Sequence, residues 1–133
     1  NMQRIPLLPS MTGAALAVIL GSQSALAVQD EDMNFDTTED LYQVCTVQPG
    51  AAESVAAAFA CRGFIEAAVQ YHDAVTDRKN LKPLICYTTT ATVADGRAAF
   101  VAWATRNAGN ATLMGELPVI GLVRALAEKY PCN

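Results

Sequence analysis

The sequence predicts an all-α fold, a small bundle of about four helices stapled by two disulfides. Three observations carry this. Apolar residues recur at three- and four-residue spacing through several long segments. Strand-like alternation is missing except for a weak threonine stretch at Tyr87–Thr92. Four cysteines, Cys45, Cys61, Cys86 and Cys132, stand in a short chain, and an even count in a small exported protein reads as a disulfide framework.

Export is expected from the first 27 residues. Arg4 precedes a ten-residue apolar run, Met11–Leu20, which leads to Ser24-Ala25-Leu26-Ala27. That is a charged start, an apolar middle and a small-x-small cleavage site, so residues 1–27 read as a signal peptide cut before Val28. The run is half the ~20 residues that span a bilayer as a helix, and no cysteine marks the cut for lipid attachment. No membrane anchoring is expected after cleavage. Asn1, ahead of Met2, reads as an expression scar. The 106 residues that remain suffice for one domain with one core.

The net charge of −4 is unevenly placed. Six of thirteen acidic residues fall within Asp30–Asp40, whereas from Leu41 onward eight basic residues face seven acidic ones. Residues 28–40 thus form an acidic N-terminal arm, and 41–133 a nearly neutral helical domain. The arm reads either as a solvated segment or as a patch that meets a basic partner. With no basic stripe to neutralise phosphates, nucleic-acid binding is not expected.

Along the chain, Asp36-x-x-Glu39 resembles a capping box opening a short helix to about Cys45, with Leu41, Val44 and Cys45 on one face. Gln48-Pro49-Gly50 is a turn. A long helix follows at about Ala51–Asp73, with Ala58, Cys61, Ile65, Ala68, Val69 and His72 on its inward arc and Arg62 and Glu66 as an outward pair. Asp77-Arg78-Lys79-Asn80 reads as a polar connector, and Leu81–Tyr87, broken by Pro83, as extended chain. Thr92 caps the next helix, which buries Phe100, Val101, Trp103 and Ala104 and ends near Asn107. After a break at Ala108-Gly109-Asn110, Pro118 opens the last helix. Val119, Val123, Leu126 and Tyr130 are its expected inward stripe, with Arg124 and Glu128 outward. Pro131 stops it.

The preferred disulfide pairing is Cys45–Cys61 with Cys86–Cys132, because each joins segments that helix packing already brings close. On loop entropy they are worth roughly 3 and 4 kcal/mol. Metal binding is not expected, since no C-x-x-C or H-x-x-H spacing occurs and His72 is the only histidine. Catalysis is not expected either. His72 lies in line with Cys61, Ile65 and Val69, as a packing residue would. A Ser54–His72–Asp73 triad is numerically possible, but adjacent helical positions point about 100° apart, so Asp73 would orient His72 poorly. Glu53, Glu66 and Glu116 are not grouped by any motif. There is no phosphate-cradling loop or haem-attachment motif, so no cofactor is expected. Asn110-Ala111-Thr112 matches a glycosylation sequon at chance level.

Three strings are more specific. Cys61-Arg62-Gly63-Phe64-Ile65-Glu66-Ala67 resembles the C-x-G-aromatic-aliphatic-x-small signature of Rap/Tai-type immunity proteins. Ile85-Cys86 followed by a threonine-capped helix resembles that family's second block, and Ala125-Leu126 through Tyr130-Pro131-Cys132 its closing block. The resemblance runs from about Leu41 to Cys132 with all four cysteines in register. It departs at Tyr87-Thr88, where a proline often follows the middle cysteine. The resemblance implies a periplasmic, non-catalytic, homodimeric protein that binds and blocks a peptidoglycan amidase delivered by a type VI secretion system. An amidase of the Cys–His class presents a cationic imidazolium, which acidic or amide-rich loops complement. Asp36, Glu39 and Asp40, with Asn107, Asn110 and Glu116, are the contact residues expected on that ground. The alternative is an acid-stress periplasmic chaperone, which would expose apolar surface once its carboxylates are protonated.

Overall fold

The computed structural model describes residues 34–133; the expected signal peptide, residues 1–27, and residues 28–33 of the expected acidic arm lie outside them. Five helices follow in order: α1 Thr38–Cys45, α2 Ser54–Lys79, α3 Val93–Asn107, α4 Ala111–Met114 and α5 Pro118–Lys129. No strand occurs among the described residues. The expected helical bundle is present, with one extra single-turn helix, α4, in the α3–α5 connection.

Helix α1 sits at the centre of the packing, against α2, α3 and α5. Its cap is one residue later than the Asp36/Glu39 expectation. Thr37 is the N-cap; its hydroxyl accepts the Asp40 N–H (3.2 Å), and the Asp40 carboxylate accepts the Thr37 N–H (2.8 Å). A threonine hydroxyl both accepts and donates, so this box outcompetes one built on two carboxylates. At the other end, Arg97 of α3 donates from Nε (3.0 Å) and Nη2 (2.6 Å) to the Cys45 carbonyl. The α1 C-terminus carries no basic residue of its own, and this guanidinium supplies the missing cation and donors.

Helix α2 begins three residues later and ends six residues later than its sequence pattern indicated. The polar run Asp77-Arg78-Lys79 is helical, because polarity is no stop signal and basic residues favour a helix C-terminus. Asn80 ends the helix in the left-handed conformation (φ 49°), donating to Asp77 and Thr76 carbonyls, a conformation asparagine tolerates. Its buried positions are Ala57, Cys61 and Ile65, with Ala68 and Val69 packed at the core edge, whereas Ala58 is exposed. Arg62 and Glu66 form the expected surface pair at 3.8 Å.

Helix α3 starts at Thr92 as expected, with Asp95 completing a capping box. Phe100, Trp103 and Ala104 are buried, and Val101 lies at the core edge. Helix α5 departs from its expected stripe. Gly121, Leu122, Ala125 and Leu126 face inward, while Val119 is exposed. The first turns of α5 are apolar on nearly every side, so periodicity alone is ambiguous there. What decides the inward face is Thr38, which packs on Gly121 where a Cβ would collide with its side chain.

Both disulfides form with the expected pairing, each with Cα atoms 5.1 Å apart. Cys45–Cys61 lies inside the core and locks α1 to α2. Cys86–Cys132 is nearer the surface and ties the loop after α2 to the residues after α5, where Cys86 N–H also donates to the Tyr130 carbonyl (2.9 Å).

Candidate functional site

Two segments proposed separately from the sequence meet in space. Thr38 is fully buried. Its N–H donates to the Glu116 carbonyl (2.8 Å), and its hydroxyl reaches the Glu116 and Leu117 carbonyls (3.1 and 3.2 Å). This brings the start of α1, with Asp36, Glu39 and Asp40, against the α4–α5 turn carrying Glu116. The result is an acidic corner.

Within this corner most side chains already have internal partners. Asp40 serves the α1 cap, and Glu39 accepts from Gln43 at 3.4 Å. Glu116 takes a two-pronged contact from Arg124 at 2.9 and 2.8 Å. That carboxylate hydrogen bond, and then its charge, hold the Arg124 guanidinium proton more tightly than usual. The remaining two candidates lie on the same connector. Asn107 donates to the Trp103 carbonyl (2.8 Å), and Asn110 caps α4 by accepting the Leu113 N–H (3.2 Å). These bonds fix the orientation of the side chains without covering their outer faces, since Asp36, Asn110 and the rim of Glu116 still meet solvent.

His72 occupies a different region and a structural setting. Its side chain is only 11 % exposed, with Nδ1 2.9 Å from Asp73 Oδ1. Its Nε2 accepts the Leu84 N–H at 3.1 Å, so the ring proton sits on Nδ1 and points to Asp73. The two adjacent side chains lean together despite their angular offset, contrary to the sequence expectation. A triad still fails. Ser54 is eighteen positions back along the same helix, about 27 Å away at 1.5 Å per residue. All four sulfurs are in disulfides. Beside His72, at 6.3 Å between ring centroids, lies Tyr87. Its hydroxyl is buried with no hydrogen-bond partner among the described residues. Burial, then the Asp73 charge and Tyr130, push its pKa up to about 12.

Among the described residues no group of three or more His, Cys, Asp or Glu side chains could hold a metal, and no helix is long and apolar enough to cross a membrane.

One surface escaped the sequence reading. An apolar groove of about 250 Å³ runs between the second half of α2 and the start of α5. Tyr71, Leu81, Leu84, Val119 and Val123 line it, with Lys82 at its rim. The available signal was the alternation around Pro83: Ile85 turns into the core, which leaves Leu84 facing outward.

Against known proteins, the family model for Rap1a immunity proteins matches residues 37–132. No curated protein and no solved structure matches the chain. The chain belongs to the Rap1a immunity protein family.

Proposed function

We propose that this immunity protein is exported to the periplasm, loses residues 1–27, and there binds and blocks a peptidoglycan-cleaving amidase delivered by a type VI secretion system. The observation that carries the reading is the family match across nearly the whole helical body. The physics supports it. An inhibitor that is ordered before contact loses less entropy on binding. Here two disulfides, a central α1 and a corner of internally bonded acidic and amide side chains provide that order.

The acidic corner is the proposed contact: Asp36, Glu39, Asp40 and Glu116, with Asn107 and Asn110 along the adjoining connector. The protein acts as a binder and not as an enzyme, and as a homodimer, so that one assembly presents two such corners. Titration of the oxidised protein against a type VI peptidoglycan amidase, sought first among the products of neighbouring genes, tests the reading. A nanomolar complex that abolishes peptidoglycan cleavage is expected. No detectable association would overturn it, and client capture gained at about pH 3 would favour an acid-activated chaperone.

A further inference from the structure

The apolar groove between α2 and α5 has features of a preformed anchor site. Tyr71, Leu84 and Leu81 are 73, 62 and 54 % exposed, yet the loop that carries the leucines is held on both sides. Asn80 turns the chain back from α2 in a left-handed conformation. Ile85 is buried in the core, the Leu84 N–H is bonded to His72, and Cys86 is tied to Cys132. The leucines therefore face outward because their neighbours are fixed. Large apolar side chains held in this way resemble the desolvated pockets that carry most of the energy at protein interfaces.

Size and charge indicate what fits. About 250 Å³ falls below the roughly 300–1,000 Å³ typical of small-molecule sites, and suits one or two side chains. Among the described residues Lys82 is the one charged side chain lining it, and Asp77, Arg78 and Lys79 lie just before it at the end of α2. Lys82 thus places a positive charge on the groove, opposite in sign to the acidic corner. Both surfaces adjoin the start of α5, Glu116 at one side and Val119 at the other.

We infer that this groove seats an apolar anchor side chain of the effector protein, flanked in that protein by a carboxylate that Lys82 receives. The inference rests on the immunity reading and adds a second, apolar contact to the acidic corner.

A probe independent of any toxin tests the site. The oxidised, isotope-labelled protein is titrated by NMR with acetyl-Phe-Asp-amide and with acetyl-Phe-Lys-amide. Shifts centred on Leu84 and Val119 are expected, with the Asp peptide bound about threefold tighter, as an exposed ion pair allows. Lys82→Ala should erase that preference, and Leu84→Asp should abolish binding with the helical circular dichroism unchanged. Leu81→Ser serves if Leu84→Asp does not fold. Absent shifts, equal affinity for both peptides, or equal shifts around exposed Phe59 would overturn the proposal.

With the amidase in hand, Leu84→Asp should weaken the complex by about thirtyfold or more, the range of an interface hot spot. Unchanged affinity against a tight wild-type complex would overturn the groove alone. If no amidase binds the wild type, the immunity reading falls while the peptide titration still decides the groove. Conversion of a dimer to a monomer by Leu84→Asp would assign the groove to a second copy and overturn the effector as its occupant.

Discussion

Gly121→Ala discriminates sharply between helix propensity and packing. Alanine in mid-helix is normally favoured over glycine by about 0.5–1 kcal/mol. At Gly121 the added methyl would fall inside the Thr38 side chain, 2.9 Å from Cβ and closer still to Cγ2 and Oγ1. Thr38 cannot rotate away freely, because its hydroxyl is bonded to two carbonyls and its N–H to one of them. The start of α1 must shift instead. Overpacking costs typically 1–3 kcal/mol, and weakening two buried hydrogen bonds adds about 1 kcal/mol each. Less the propensity gain, the expected destabilisation is about 2–4 kcal/mol, or at least 8 °C in Tm for a domain of this size. Urea denaturation of the oxidised protein measures it. Thr38→Ala should cost about 1–2 kcal/mol alone, while the double variant should be less destabilised than the sum, since removing the threonine makes room for the methyl. Gly63→Ala is the control. It sits in mid-α2 with nothing within 4 Å of the added Cβ, and should stabilise by about 0.5–1 kcal/mol. A neutral or stabilising Gly121→Ala, or additive effects with Thr38→Ala, would refute the argument.

Two further outcomes follow from the buried and exposed groups. Dithiothreitol should reduce Cys86–Cys132 before Cys45–Cys61, because Cys86 is exposed whereas Cys45 and Cys61 are sealed in the core; mass-mapped thiol alkylation reads the order, and the reverse order would contradict the burial. Tyr87 should ionise near pH 12 in an ultraviolet titration. The unfolded chain releases that proton near 10, so the stability held by the neutral phenol is complete below pH 10 and lost as pH rises towards 12. Tyr87→Phe should flatten that loss, and an unchanged alkaline profile would rule out Tyr87 as its source.

The parts of this fold legible in the sequence are those set by local chemistry. Thr92 and Pro118 start their helices, and Cys45, Cys61, Cys86 and Cys132 pair as their neighbouring helices dictate. The parts that escaped depend on what lies across the interface. Which face of α5 turns inward is decided by Thr38, some eighty residues away in the chain, and the end of α2 by the backbone of Asn80. The groove escaped for the same reason. Leu81 and Leu84 look like ordinary buried leucines until Ile85 is seen to be the residue of that segment that enters the core. Of the contact candidates, the sequence could name acidic and amide residues but not that Thr38 joins α1 to Glu116.

That junction also sets how the acidic corner would act in binding. Glu116 is matched by Arg124, so its charge contributes little at long range. Asp40 is engaged in the α1 cap, but by N–H and hydroxyl donors that leave its charge uncompensated. The field in front of the corner therefore comes from Asp36, Glu39 and Asp40 together. Neutralising Asp36 and Glu39, neither of which holds the cap, should slow association with a cationic partner and weaken its salt dependence while leaving dissociation nearly unchanged. Removing an apolar anchor from the groove should instead speed dissociation, since rates of escape carry most of the affinity in desolvated contacts. Surface plasmon resonance at two salt concentrations separates the two. Asp36→Asn with Glu39→Gln that altered only dissociation, or Leu84→Asp that altered only association, would mean that the roles assigned to corner and groove are wrong.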